Sequence, residues 1–365
     1  VAVGEGPGGR AAEAKFGELV ERGRELLTQA TLGEHLRAVV NYWLGLAYVR
    51  ITQPETALLH LEAALTALVD LGDPWLVAHA LHMKSSALYL LDDPECQYVA
   101  EDALRRCREL EPPSPMLEAR VLNHLAAIAV NREEWQIAVR LYDRALVAAE
   151  PLRDLRQLSL MYEGLAMAYH HLGHATRAAD LFSRALGLYS LQSDLSSMAR
   201  AEVNLSQLLL EQGLLRSAEE HLETSLRYCD DHGVDRKNRT YATAGMARLR
   251  LRQGRDAEAD SLAGAAIELG EARDERLSLA TALQVRGQLK FRAGLAGEGD
   301  ECFERAIELY RALNLLERLR LCRIEFATEL DALGRSALAK EQWKLAALVG
   351  RGPSKGVAEK LAAEA

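Results

Sequence analysis

The chain matches itself when shifted by about 40 residues, and that period constrains its fold more than any single motif. Segments opening at Ala38, His79, Ala119, Ser159, Ala199, Thr240, Ala280 and Arg320 follow one another at intervals of 40 or 41 residues. Three columns of small residues carry the match. The first holds Gly45, Ser86, Ala126, Ala166, Ser206, Ala247, Gly287 and Ala327. The second holds Ala57, Cys96, Ala138, Ala178, Ala218, Ala259, Gly299 and Ala339, and the third Ala64, Ala103, Ala145, Ala185, Ser225, Ala266, Ala306 and Ala346. The second segment fits when its central turn is two residues short. A single packed core stops growing near roughly 250–300 residues, so 365 residues require two domains or growth by repetition. The columns decide for repetition.

Small side chains at a fixed phase let neighbouring helices approach, and large ones fill the spaces between them. The large residues keep step: Leu61, Tyr142, Phe182, Leu222, Phe303 and Trp343 on the second helix, and Leu44, Leu125, Leu165, Leu205, Met246 and Phe326 on the first. Gly173, Gly213, Gly254, Gly294 and Gly334 fall between the two helices of a pair, where a left-handed C-cap is wanted. Asp73-Pro74 and Asp93-Pro94 read as an N-cap followed by proline at the first helical position. No proline interrupts a proposed helix and no segment alternates as a strand would. The expected fold class is all-α, built from about eight helical hairpins.

From Met161 to Ala185 the residues Tyr162, Leu165, Ala166, Tyr169, Gly173, Ala178, Phe182 and Ala185 stand at a spacing that resembles the tetratricopeptide (TPR) pattern. Ser85 and Arg286 depart from it at the large position of the first helix, and Arg250 and Lys290 at its tyrosine. The resemblance covers about Ala38 to Val349 and implies a right-handed superhelical solenoid. The long period is similar to that of sensor domains in bacterial transcription regulators and of animal scaffold proteins. Residues 1–14 read as a flexible linker, 15–37 as an N-terminal capping helix, 38–349 as eight repeats and 350–365 as a C-terminal tail with a short helix.

Composition narrows the function classes. No run of about 18 uncharged apolar residues is present, which excludes a membrane-spanning helix. A net charge of −9 argues against direct nucleic-acid binding by this segment. Five widely spaced cysteines without a C-x-x-C pair read as reduced thiols of a cytoplasmic protein. Phosphate-loop, dinucleotide, zinc-protease and serine-hydrolase signatures are absent, so no enzyme, cofactor or metal is expected. An α/α-toroid glycosidase would need more aromatics than 5%. His170 and His174 stand four apart, but the turn at Gly173 breaks their common face. His79, His82 and His124 lie on adjacent first helices, where packing or ligand hydrogen bonding outweighs metal binding.

The resemblance implies that first helices line a concave face. Off the packing columns they carry Lys84, Arg120, Asn123, Asn131, Glu163, His170, His171, Arg200, Asn204, Gln207, Tyr241, Arg248, Arg252, Gln284, Gln288 and Arg292. Amides pair with a peptide backbone and arginines with carboxylates or phosphates, so the expected ligand is a peptide or protein segment. A homodimer is one assembly the sequence allows. The alternative is the ligand-sensing domain of a bacterial transcription regulator whose DNA-binding domain lies before residue 1, an expectation prompted by the glycine-rich start without an initiator Met.

Overall fold

The computed structural model describes residues 7–29, 31–231 and 236–349. Among these it contains helices and turns and no strand. After α1 (Pro7–Leu27) come eight helical pairs. Their first helices are α2 (Glu34–Arg50), α4 (Pro74–Leu90), α6 (Pro115–Asn131), α8 (Leu155–His171), α10 (Leu195–Glu211), α12 (Arg236–Arg252), α14 (Arg276–Arg292) and α16 (Leu316–Ala332). Their second helices are α3 (Pro54–Leu71), α5 (Glu95–Arg108), α7 (Trp135–Ala149), α9 (Ala175–Leu191), α11 (Leu215–Asp231), α13 (Asp256–Arg273), α15 (Ala296–Ala312) and α17 (Ser336–Leu348). The chain forms two compact units, with the boundary inside α10 after Ala201.

Every first helix is 17 residues long, and the small column lies eleven residues beyond each start. That register corrects the sequence reading in the second pair. Counted from Pro74, the small position is Ser85, which is fully buried, whereas its neighbour Ser86 is half-buried. Ser85 to Cys96 is eleven residues against twelve from Gly45 to Ala57, so the turn is one residue short rather than two. Both serines are small, so composition alone leaves their order undecided. The large position then falls to Lys84, which turns outward and pairs with Glu62 on α3 at 3.0 Å. Its counterpart Arg286 reaches Asp260 at 3.7 Å.

The columns are the contact surfaces. A β-carbon on Gly287 would come within 2.7 Å of the Phe303 ring, and one on Gly45 within 2.7 Å of Leu61. Phe303 in turn stacks on Phe326 of the next pair at 4.8 Å, which ties three helices of the second unit together. In the first unit, Leu44, Leu61 and Leu68 play the same part beside Ala57 and Ala64. Trp343 is the exception among the large residues and stays 43% exposed on α17, the last described helix.

The hairpin tips confirm the turn reading. Gly173, Gly213, Gly254, Gly294 and Gly334 have φ between 73° and 79°, and Thr52, Asp92 and Glu133 hold the same left-handed position in the first three pairs. Asp73 caps α4 by accepting from Leu76 N at 3.0 Å, ahead of Pro74 as expected. Asp93 accepts from Glu95 N, and α5 starts after Pro94 instead of at it. Helix α1 begins at Pro7, inside the stretch read as a linker. Proline at the first helical position and the following alanines outweigh the glycines there. The expected tail, 350–365, lies outside the described residues.

Close approach at the first column makes a signed prediction. Gly264, with nothing within 4 Å of an added β-carbon, gains helix propensity on Gly264→Ala, about 1 kcal/mol. Gly287→Ala gains the same propensity but overpacks against Phe303, for a net loss of about 1 kcal/mol. Urea unfolding of the two variants checks the contrast; equal stabilisation by both would refute the packing.

Candidate ligand cavity on the first-helix face

A cavity of about 540 Å³ opens in the first unit, and its walls come from α2, α4, α6 and α8 together with the N-cap residues Ser114 and Asp154. No second helix contributes a lining residue. The register explains why. His79 on α4 occupies the place of Arg120 on α6, and His82 the place of Asn123, so successive first helices turn the same positions to one side. One wall is aromatic. Trp43 and Trp75 are 55% and 48% exposed, Tyr42 meets Trp43 edge-on at 5.3 Å, and Trp75 lies 4.0 Å from the His79 ring. Leu46, Met83 and Leu160 are among the residues that extend the apolar surface.

The polar wall is cationic. Arg50, Arg120 and Arg156 face the cavity, against one acid, Asp154. Asp154 Oδ1 caps α8 by accepting from Gln157 N at 3.2 Å, and its Oδ2 lies 3.9 Å from Arg120. Arg50 and Arg156 have no acidic partner among the described residues. Burial, and then repulsion from Arg156 and Arg120, hold Arg50 below its ordinary pKa. Arg120 Nε and His82 Nδ1 are buried without a hydrogen-bond partner.

The histidines are neutral. Burial and then Arg120 push His79 down to about 4, and burial pushes His124 down to about 4 as well. His82 is held well below its usual value by burial, then by His124, His79, Arg120 and Arg50. The proton on His124 can be located. The Ser85 hydroxyl has one proton and gives it to the Cys96 carbonyl at 2.6 Å, so His124 Nε2, 2.8 Å away, donates to Ser85 Oγ. This polarity is opposite to that of a nucleophile and its base. The pair is a structural hydrogen bond under the cavity floor.

Of the residues singled out by sequence, Arg120, Asn123 and the histidines His79, His82 and His124 line the cavity. The others in the first unit engage protein groups. Lys84 pairs with Glu62, Asn131 bonds the Tyr89 side chain, and His170 stacks on His171, which stacks on Trp135. Arg200 forms a two-pronged pair with buried Glu163 at 2.9 and 2.6 Å, and Tyr189 donates to the same carboxylate. In the second unit the candidates bond one another. Glu325 accepts from Gln284 and Gln288, while Tyr310 and Arg248 donate to the Gln284 oxygen. Arg318 on α16 donates to Gln207 on α10 at 2.5 Å, and Tyr241 to Asn204. Arg292 pairs with Asp256, and Arg252 is exposed. The sequence reading missed Trp43, Arg50, Trp75 and Arg156. The first and third were available as aromatics on first helices outside every packing column.

The neutral histidines make stability depend on pH with a definite sign. A histidine whose folded pKa is depressed disfavours the native state once the unfolded chain takes up a proton. Its contribution is complete above about pH 6.5 and is lost as pH falls towards 4. For His124 alone the loss at pH 5 is about 2 kcal/mol. Urea midpoints between pH 7 and 5 should fall less steeply for His124→Gln than for the wild type; parallel slopes would contradict a neutral His124.

No family model matches the chain, and no curated protein matches it. Solved structures do. The apo quorum sensor NprR from B. thuringiensis is 14% identical, with a TM-score of 0.64 over 93% of this chain and 98% of that one. The apo form of RapI is 15% identical, with a TM-score of 0.62 over 76% and 99%. A Rap protein complexed with competence and sporulation factor is 13% identical, with a TM-score of 0.60 over 87% and 98%. At these identities the likeness is one of fold, and the fold is a TPR-type helical repeat.

Proposed function

We propose that this chain is a non-catalytic binding protein that takes a peptide or a protein segment on its first-helix face, with the α2–α4–α6–α8 cavity as the deepest seat. One observation carries the reading: the cavity is lined by first helices and their caps alone, with two half-exposed tryptophans and polar groups that no protein atom satisfies. Large amphipathic rings beside fixed amide and guanidinium donors anchor peptides at little entropic cost. No described helix is long and apolar enough to cross a membrane.

A narrower form of the same reading makes the chain the ligand-sensing part of a bacterial transcription regulator. It is supported by the likeness to a quorum sensor and to a Rap protein solved with a bound factor. In both forms the ligand contacts the same stripe of residues.

Peptides selected from a random display library against the intact chain test the proposal. Trp43→Ala combined with Asn123→Ala should weaken the selected peptides about thirtyfold, the loss of a buried aromatic anchor of roughly 2 kcal/mol. Tyr98→Ala, on the exposed face of α5, should leave them unchanged. Retained helicity by circular dichroism excludes unfolding as the cause. Equal affinity for the double variant and the wild type would move the site elsewhere.

A further inference from the structure

The cavity carries more positive charge than its own protein neutralises. Asp154 stands against Arg120 alone, and Arg50 and Arg156 face the same space without acidic partners among the described residues. Elsewhere buried and half-buried arginines meet either an acid, as Arg200 meets Glu163 and Arg250 meets Glu219 at 2.5 Å and Glu258 at 3.3 Å, or a neutral oxygen, as Arg318 meets Gln207 and Arg323 meets Gln342. Arg50 and Arg120 are half-buried beside apolar walls, where water screens like charges poorly, and the exposed Arg156 adds a third charge at the rim. Burial first, and then repulsion from Arg156 and Arg120, hold the pKa of Arg50 down. The neutral histidines add no charge to the excess, which therefore stands at two.

A second observation points the same way. His82 is 8% exposed and lines the cavity; its Nδ1, like Arg120 Nε, is buried with no hydrogen-bond partner. Buried polar groups left open at a concave site cost stability unless something fills them. Trp43, Trp75 and the His79 ring give the same cavity an aromatic surface, with Trp75 tilted 43° to His79 at 4.0 Å. About 540 Å³ lies within the range of sites that hold one small organic group.

We propose that this cavity is a site for a doubly negative group attached to an aromatic body, either a pair of carboxylates or a phosphate monoester, presented by the ligand. Arg50 and Arg156 neutralise the two charges, Arg120 supplies hydrogen bonds, and the tryptophans cover the ring. The inference rests on the cavity being the ligand seat.

Calorimetric titration of the full chain with terephthalate, phenyl phosphate, benzoate and benzamide tests it. The two dianions should bind at least tenfold more tightly than benzoate, and benzamide weakest of all, with affinity falling as salt is raised. A preference for phenyl phosphate assigns the phosphate source, and a preference for terephthalate the carboxylate source. Arg50→Gln and Arg156→Gln should each weaken the dianions about tenfold to a hundredfold. Each should also raise the Tm of the unliganded protein, because repulsion is relieved; a merely structural arginine would lower it. Equal binding of benzamide and the dianions would overturn the proposal, as would dianion affinity unchanged in both variants. If library-selected peptides need Trp43 and Asn123 while neither dianion binds, the charge assignment fails and the binding role stands.

Discussion

Contact between a small residue on one helix and a large residue on the next fixes everything else in this molecule. Gly287 under Phe303 and Gly45 under Leu61 bring helix axes close enough to hold one rotation about each helix. Once that rotation is set in every pair, positions five and eight residues into each first helix must point to one side. Tyr42, His82, Asn123 and Glu163 share the second of those places in four consecutive pairs. The face is thus a by-product of packing on the opposite side of the same helices, and its chemistry is free to vary.

The two units use that freedom differently. In the second, Arg248, Gln284, Gln288 and Glu325 satisfy one another, and the Arg318–Gln207 bond joins first helices that have two others between them in sequence. A closed network of this kind rigidifies the face it covers. In the first, Glu163 is consumed by Arg200 and Tyr189, but nearer the N-terminus the arginines outnumber the acids and the tryptophans stand half out. An uncompensated, partly apolar surface is where a ligand gains most from being bound.

The period, the turns and the packing columns were legible in the sequence because each depends on residue size or backbone conformation, which recur at every repeat. The inner face was legible only in part. A one-residue slip between Ser85 and Ser86 hid the fact that His79 and His82 occupy the places of Arg120 and Asn123, since either serine is small enough for the column. Gln284 and Arg248 looked like ligand groups because an amide or a guanidinium reads the same whether its partner is a peptide or a side chain 36 residues away. Distances between elements decide such cases, and no local pattern encodes them.

The central claim is that ligand is held by the first helices of the first unit. Hydrogen-exchange mass spectrometry of the chain with and without saturating selected peptide tests it most directly. Slowed exchange should appear in α2, α4, α6 and α8, around Arg50, His79 to His82, Arg120 to Asn123 and Arg156, and α3, α5 and α7 should change little. Protection confined to those second helices, or to the second unit, would contradict the account.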